Sequence, residues 1–449
     1  MKDNRLYWNK DLETIGDDEL HDLHNKIFLS HIKYVFSKSE FYRDKFKEAG
    51  VELGYIKSID DLVKLPFTEK QELRESQLQK MPLGKHMACD PHDIVRLYSS
   101  SGTTGVPTYI GLTENDIKVW IEQGARYGWS CGLRPEDTVA LAVGAGGFFA
   151  AAAFQGCFEH LGATVVPIGP GATERLLAAF QHLLANALLG TPSSAIYFLD
   201  WVIKRGIDPG SLGIRKIIVG GEPGGSDPYI RKRVQDGFGC KMLEGMGIGE
   251  LAPAVWAECF KQDGMHFLAQ GNVHVELIDP ETLEVLKDPK NGTTGELVYS
   301  SLFRECMPLV RYRTRDQVVV YSDPCECGRT GMRIRCVGRT DDMLLVLGVN
   351  VYPAAVRDVV GTFQPKVNGM IEIQLEKPGP KVEPPVKIKV ELVSGTGDLD
   401  VLKKKIETVI RENLVFRADV ELVPEGSLPR SEYKGKLVRK VYEEKEEKV

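Results

Sequence analysis

Lys216-Ile217-Ile218-Val219-Gly220-Gly221-Glu222-Pro223 is the last of four short apolar runs that end near glycine or proline. The others are Thr138–Val143, Thr164–Pro167 and Ala187–Gly190, and helix-length segments separate them. That rhythm predicts βαβ units and a buried, largely parallel sheet.

Upstream, residues 17–49 read as amphipathic helix, with Leu20, Leu23, Ile27, Ile32, Val35 and Phe36 at helical spacing among charges. Asp17 or Asp18 starts it and Gly50 stops it. Ser58 to Met81 is helical again, interrupted at Pro66 and ended by Pro82, and a further helix is expected near Glu114–Tyr127. Downstream, from Asn272 to Val320, the pattern turns to strands and turns, with Val273–Ile278 and Gly295–Tyr299 as the clearest strands. The C-terminal part reads as a separate small α+β unit. In it Val386, Ile388, Val390 and Leu392 alternate, Leu399, Leu402, Ile406, Val409 and Ile410 form a helical stripe, and Ala418–Val423 returns as a strand.

One stretch between the N-terminal helices and the first run stands apart. Tyr98-Ser99-Ser100-Ser101-Gly102-Thr103-Thr104-Gly105-Val106-Pro107-Thr108 packs five hydroxyls and two glycines between Ser99 and Gly105. Glycines let the backbone approach an anion, and free N–H groups and hydroxyls in such a loop can cradle phosphate oxygens. It is not the common phosphate loop, because no Gly-Lys-Ser/Thr follows.

At 449 residues the chain exceeds one ordinary core, so two or more domains are expected. A net charge of −6 gives no basic footprint for nucleic acid. The polar start, Met1-Lys2-Asp3-Asn4-Arg5, reads as no secretory signal. The nearest approach to a membrane span, Gly144 to Phe158, is short and Gly/Ala-rich. A soluble cytoplasmic enzyme, with neither nucleic acid nor membrane as partner, is the expectation. The nine cysteines are odd in number and mostly scattered, which argues for thiols or a metal rather than a disulfide framework.

The hydroxyl loop is followed in order by Gly220-Gly221-Glu222-Pro223, Gly247-Ile248-Gly249-Glu250, Tyr312-Arg313-Thr314-Arg315-Asp316, Gly338-Arg339-Thr340-Asp341-Asp342 and Leu428-Pro429-Arg430-Ser431-Glu432-Tyr433-Lys434-Gly435-Lys436. Together these resemble the adenylate-forming acyl-CoA synthetases, and most closely the phenylacetate-CoA ligase branch. The branch cues are the Tyr-Arg-Thr-Arg-Asp form, and Asp-Asp-Met followed by Gly348-Val349-Asn350-Val351-Tyr352-Pro353. The resemblance implies an α/β fold: a large N-terminal region of several subdomains with mainly parallel sheets, residues 1–341, and a small mobile α+β C-terminal domain, residues 342–449. It implies ATP, Mg²⁺ and coenzyme A as cofactors, an aryl carboxylic acid as substrate, and a homodimer.

By that resemblance, Ser99, Ser100, Ser101, Gly102, Thr103, Thr104 and Gly105 hold the β/γ-phosphates. Gly220, Gly221, Glu222 and Pro223 wall the adenine, with Met246 and Gly247 beside it. Glu250 helps hold Mg²⁺, a hard cation suited to oxygen ligands. Asp316 accepts from the ribose hydroxyls, Arg339 lies near ribose or phosphate, and Asp342 is the hinge. Two lysines fit the catalytic role: Lys436 matches Gly-Lys-x-x-Arg, whereas the spacing from Pro429 favours Lys434. Either would offset charge on the carboxylate and α-phosphate. Phe148, Phe149 and Phe154, among small residues, suit a flat aromatic acid or else are core.

One departure bears on nucleotide handling: Gly249 stands where the family commonly has a Thr, and cannot donate the hydroxyl expected at the α-phosphate. Separately, Cys259, His266, Cys325 and Cys327 would make a closed tetrahedral structural zinc site, with Cys336 as a substitute ligand. The sequence therefore predicts an ATP-dependent aryl-acid–CoA ligase. Its alternatives are an adenylyltransferase that stops at AMP transfer, as the deazaflavin-cofactor adenylating enzymes do, and a nucleotide-binding regulator without chemistry.

Overall fold

Short parallel strands that are apolar throughout are stable only when both faces are covered, and the centre of the molecule is built that way. The computed structural model describes residues 5–99, 108–144, 149–346, 349–379, 381–431 and 435–442; of residues 149–151, 341, 349 and 350 it describes the backbone only. The chain begins with helices α1 (Lys10–Glu13), α2 (Asp17–Lys38), α3 (Glu40–Glu48) and α4 (Lys70–Gln79). The helix expected over 17–49 breaks at Ser39, whose extended backbone ends α2 and whose hydroxyl accepts from the Tyr42 amide to start α3. Hairpin strands β1 (Arg96–Ser99) and β2 (Tyr109–Leu112) flank the hydroxyl loop. Ser100, Ser101, Gly102, Thr103, Thr104 and Gly105 lie outside the described residues. Helix α5 (Glu114–Ser130) follows, opened by a Thr113–Asp116 capping box.

The expected alternation then appears: β3 (Thr138–Leu141), α6 (Phe149–Leu161), β4 (Thr164–Pro167), α7 (Thr173–His182), β5 (Ala187–Gly190), α8 (Pro192–Lys204), β6 (Lys216–Val219), α9 (Pro228–Phe238) and β7 (Lys241–Ile248). These five strands are parallel neighbours in the order β4-β3-β5-β6-β7. Their side chains divide by parity. Val139, Leu141, Leu189, Ile218 and Leu243 join the core cluster of Phe154 and Phe158, whereas Ala140, Leu188, Ile217, Val219 and Met242 join that of Phe180, Phe198 and Val234.

Beyond β7 the same sheet continues through β8 (Ala252–Glu258), β9 (Met265–Phe267), β10 (Val273–Ile278), β11 (Thr294–Ser301), β12 (Tyr312–Tyr321) and β13 (Arg333–Arg339). The eleven strands run β10-β11-β12-β13-β9-β8-β7-β6-β5-β3-β4. The α/β class is as expected, but the sheet is mixed rather than mainly parallel. Past β7 no helix lies between successive strands and every pair is antiparallel; the chain passes from β9 to the far edge at β10 and returns through β11 and β12 to set β13 beside β9.

The C-terminal part comprises β14 (Leu344–Val346), β15 (Val349–Val351), α10 (Pro353–Gly361), β16 (Val367–Leu375), β17 (Lys381–Val382), β18 (Val386–Leu392), α11 (Leu399–Leu414), β19 (Ala418–Val423) and β20 (Val438–Lys440). It forms two small sheets, β15-β14-β17 and β19-β18-β16-β20, and a core of its own that includes Leu402, Ile406 and Ile410 of α11. Among the described residues no helix is long and apolar enough to cross a membrane.

Candidate active site

The start of β12 carries the Tyr-Arg-Thr-Arg-Asp motif, and its geometry is set by one buried ion pair and two half-buried ones. Arg313 forks onto Glu296, with Nε donating to Oε1 at 2.8 Å and Nη2 to Oε2 at 2.9 Å, and reaches Glu69 at 3.1 Å. Arg315 donates to the other oxygen of Glu69 at 2.9 Å and takes a left-handed backbone, φ +66°. That conformation costs a side-chain-bearing residue about 1–2 kcal/mol, and such strain collects where it aims a functional group. Here it precedes Asp316. Asp316 and Arg339 are cross-strand partners on β12 and β13, with Arg339 Nη1 3.6 Å from Asp316 Oδ1. Two residues expected at the ribose are thus brought together.

Glu250 sits just past β7 and is 6 % exposed. Lys70, the first residue of α4, places its Nζ 2.8 Å from Glu250 Oε1. Burial, then the charge of Glu250, pushes the Tyr312 hydroxyl well above its ordinary pKa, so it stays protonated. Sequence reasoning missed Lys70, Glu69 and Glu296; nothing local marks them, because their partners come from distant strands. Gly249 and Met246 are half-buried, Met246 packing against the core, and Gly247 is exposed.

The expected adenine wall lies at the end of β6. Gly220 approaches β7 so closely that a Cβ there would stand 2.4 Å from the Gly245 carbonyl oxygen, which only glycine permits. Gly221 and Pro223 are exposed, whereas Glu222 is half-buried. Its Oε1 accepts the Ser193 amide at 2.7 Å and its Oε2 accepts the Gly435 amide at 2.7 Å. Burial pushes the Glu222 carboxyl above its ordinary pKa, opposed by these hydrogen bonds. The bond from Gly435 brings the C-terminal loop to the wall, with Lys436, exposed, as the next residue. Lys434 lies outside the described residues.

Ser99 closes β1 at the mouth of the hydroxyl loop, and Asp342 is exposed at the end of a 3-10 turn, Thr340–Asp342. Phe148 and the Phe149 side chain lie outside the description. Phe154 is a buried core residue between Tyr127 and Phe158, with ring centroids at 5.3 and 5.5 Å.

A second cluster forms where β8, β9 and the loop between β12 and β13 meet. The ligand atoms of Cys259, His266, Cys325 and Cys327 lie within 4.8 Å of one another. Cys259 Sγ is 3.8 Å from Cys325 Sγ, and Cys327 Sγ is 3.4 Å from His266 Nε2. Cys336 is outside the group and faces the Gly338 carbonyl at 3.7 Å. The N-terminal segment pins this loop: Tyr7 donates to the Cys327 carbonyl at 2.8 Å, and buried Arg329 donates to buried Glu13 at 2.8 Å.

Comparison with known proteins accords with this layout. The model of the AMP-binding enzyme family matches residues 24–303, and that of the AMP-binding enzyme C-terminal domain matches residues 348–441. The chain belongs to the AMP-binding, adenylate-forming enzymes. Within them it falls in the phenylacetate-CoA ligase branch: it is 34% identical to a phenylacetate-coenzyme A ligase of Thermus thermophilus, over 97% of this chain and 99% of that one. Among solved structures, 2-hydroxyisobutyryl-CoA ligase in the postadenylation state, in complex with R3-HIB-AMP, matches with a TM-score of 0.90 at 26% identity, over 99% of this chain and 95% of that one. The same ligase in its thioesterification state, with 2-HIB-AMP and CoA, matches with a TM-score of 0.72 at 27% identity, over 100% and 96%.

Proposed function

We propose that this AMP-forming acid–CoA ligase activates an aromatic carboxylic acid of the benzoate or phenylacetate kind and passes the acyl group to coenzyme A. The observation that carries the reading is the similarity to a phenylacetate-CoA ligase along almost the whole chain. A carboxylate is a poor electrophile until one of its oxygens becomes a good leaving group. Its oxygen attacks the α-phosphorus of ATP and diphosphate leaves; the thiol of coenzyme A then attacks the acyl carbon and AMP leaves. The site must neutralise triphosphate charge, align the carboxylate, and keep water from the mixed anhydride.

In this reading the loop from Ser99 to Gly105 holds the β/γ-phosphates and Gly220–Pro223 walls the adenine. Asp316 accepts from the ribose hydroxyls and Arg339 lies beside them. Bound at Glu250, Mg²⁺ would supply positive charge to the phosphates, in competition with the Lys70 ammonium that accompanies that carboxylate here. Lys436 offsets charge on the reacting carboxylate and α-phosphate, with Lys434 as the alternative. The C-terminal part, residues 342–449, moves about Asp342 between the two steps. The higher TM-score to the postadenylation state than to the thioesterification state supports an adenylate-forming pose here.

The four-residue cluster suits zinc. Zn–S bonds of about 2.3 Å and Zn–N of about 2.0–2.1 Å at tetrahedral angles put S···S near ~3.8 Å and S···N near ~3.5 Å, and the separations here are 3.8 and 3.4 Å. Four protein ligands leave no open position, so the metal would tie β8, β9 and the β12–β13 loop together rather than catalyse.

The test is to mix the protein with ATP, Mg²⁺, coenzyme A and a panel of acids, and to read acyl-CoA and AMP by mass spectrometry. An aryl thioester that is lost in Lys436→Ala supports the reading and assigns the lysine; loss in Lys434→Ala alone assigns the other. A thioester only with 2-hydroxyisobutyrate moves the substrate to small hydroxy acids, the class of the structural neighbour. AMP transfer without thioester overturns the ligase in favour of an adenylyltransferase, and binding without turnover leaves a regulator.

A further inference from the structure

We infer that Glu222 is a positioning residue, a latch that with Ser193 seats the loop carrying Lys436 for adenylation and releases it for the thioester step. The inference rests on the proposed reading in one respect, that Lys436 serves adenylation and the C-terminal part then moves. The rest is geometry.

Helix α8 presents its first turn to Glu222. Thr191 and Ser194 satisfy each other in a capping box, with the Ser194 amide donating to Thr191 Oγ1 at 3.1 Å and the Thr191 amide to Ser194 Oγ at 2.8 Å. The Ser193 amide is left to the carboxylate, at the positive end of the helix dipole. One oxygen of Glu222 is therefore fixed on the N-terminal part, and the other is turned to Gly435. The Gly435 amide is shared between Glu222 Oε2 at 2.7 Å and Ser193 Oγ at 3.1 Å. The approach is close: a Cβ on Gly435 would stand 2.6 Å from Ser193 Oγ. A single half-buried carboxylate thus joins two segments, held by the Ser193 amide and hydroxyl on one side and by the Gly435 amide on the other.

The other end of the same segment is also held by the C-terminal part. Arg357 of α10 lies 3.2 Å from Asp227 Oδ2 and donates to the Pro223 carbonyl at 3.4 Å. Asp227 meanwhile caps α9 with Oδ1. Gly220 to Pro223, the expected adenine wall, and the turn that follows it to Asp227 are consequently also the seat of the C-terminal part. Occupation of the wall and the pose of Lys436 are coupled through the same few residues.

Hydrogen–deuterium exchange on the full chain reads the latch without turnover. In Glu222→Gln the one amide oxygen stays with the Ser193 amide at the helix terminus and Gly435 keeps only its longer bond to Ser193 Oγ, so exchange at Gly435 rises at least tenfold. Unchanged exchange there overturns the latch, whether or not an acid has been found; a wild type inert with every acid sinks the ligase reading instead. The half-reactions supply the second readout. Acid-dependent exchange of diphosphate into ATP falls in Glu222→Gln at least tenfold more than thioester formation from supplied acyl-adenylate and coenzyme A. Equal losses in both, or a rise in KM for ATP with kcat kept, make Glu222 a structural or nucleotide-binding residue and refute the proposal. A third arm uses the close approach: Gly435→Ala slows adenylation, and Ser193→Gly in the same chain restores it. Failure of that rescue counts against the seat.

Discussion

Lys70 and Glu250 form an ion pair of 2.8 Å between the first turn of α4 and the turn after β7, with the carboxylate almost completely buried. A buried carboxylate is tolerated when a cation accompanies it. In the proposed site Mg²⁺ is a second cation for the same oxygens, so lysine and metal compete. Lys70→Met should therefore lower the Mg²⁺ concentration needed for half-maximal adenylation. It should also cost about 1–3 kcal/mol of stability in the metal-free protein, read by denaturant unfolding.

Asp316 is held opposite Arg339 on neighbouring strands, and in the proposed site it accepts from the ribose diol. Hydrogen bonds to a charged group contribute about 1.5–3 kcal/mol, which is roughly 10–150-fold in affinity. Asp316→Asn should raise KM for ATP within that range. The check is 2′-deoxy-ATP: it should be a poor substrate for the wild type and lose much less further ground in Asp316→Asn. An equal further loss would remove Asp316 from the ribose.

The thiol–imidazole cluster predicts a stoichiometric metal. Protein purified without chelator should carry zinc by plasma mass spectrometry, and Cys327→Ser should lose it. Because a closed site stabilises rather than reacts, the variant should show a lower Tm while keeping kcat at low temperature. Loss of kcat with unchanged Tm would contradict a structural role.

Stability should fall on mild acidification, and the cause is histidine burial. Burial lowers His24 and His31 to about 4, and His86 and His274 to about 3, from an ordinary 6.5. A base whose folded pKa is depressed stabilises the fold while both states are neutral, above pH 6.5. That contribution is lost as pH falls from 6.5 through the folded value, because the unfolded chain takes the proton first. For His31 the full span is worth at most about 3 kcal/mol. His31 stacks on Tyr34 and its Nε2 is buried without a partner, so His31→Phe should flatten the decline of Tm between pH 6.5 and 4. A decline as steep as in the wild type would acquit His31.

The parallel half of the sheet was legible because it is written locally. Lys216–Val219 and its three counterparts are mostly apolar, and β3, β5 and β6 are buried at every position after the polar residue that opens β3 and β6. Of the antiparallel half only the stretch holding β10, β11 and β12 was legible as strands, while β8, β9 and β13 and the pairing of all six were not, since pairing partners depend on connections rather than on any single run. Ser39 was missed as a break in the long helix because the charges and apolar residues keep helical spacing across it.

The site divides in the same way. The order of motifs named Asp316, Arg339, Glu250 and the 220–223 turn, and the four members of the thiol–imidazole cluster were picked out although they lie on three separate segments. Nothing in the sequence marked Lys70 opposite Glu250, or Ser193 and Arg357 as holders of the 220–223 turn. By itself the sequence determined the class of fold, its motifs and its family, because apolar periodicity and short motifs are properties of adjacent residues. Tertiary structure alone decided which charges meet and where the C-terminal loop sits. The bonds of Gly435 to Glu222 and Ser193 span 213 and 242 residues, and a hydrogen bond across such a distance exists only once the cores on either side have packed.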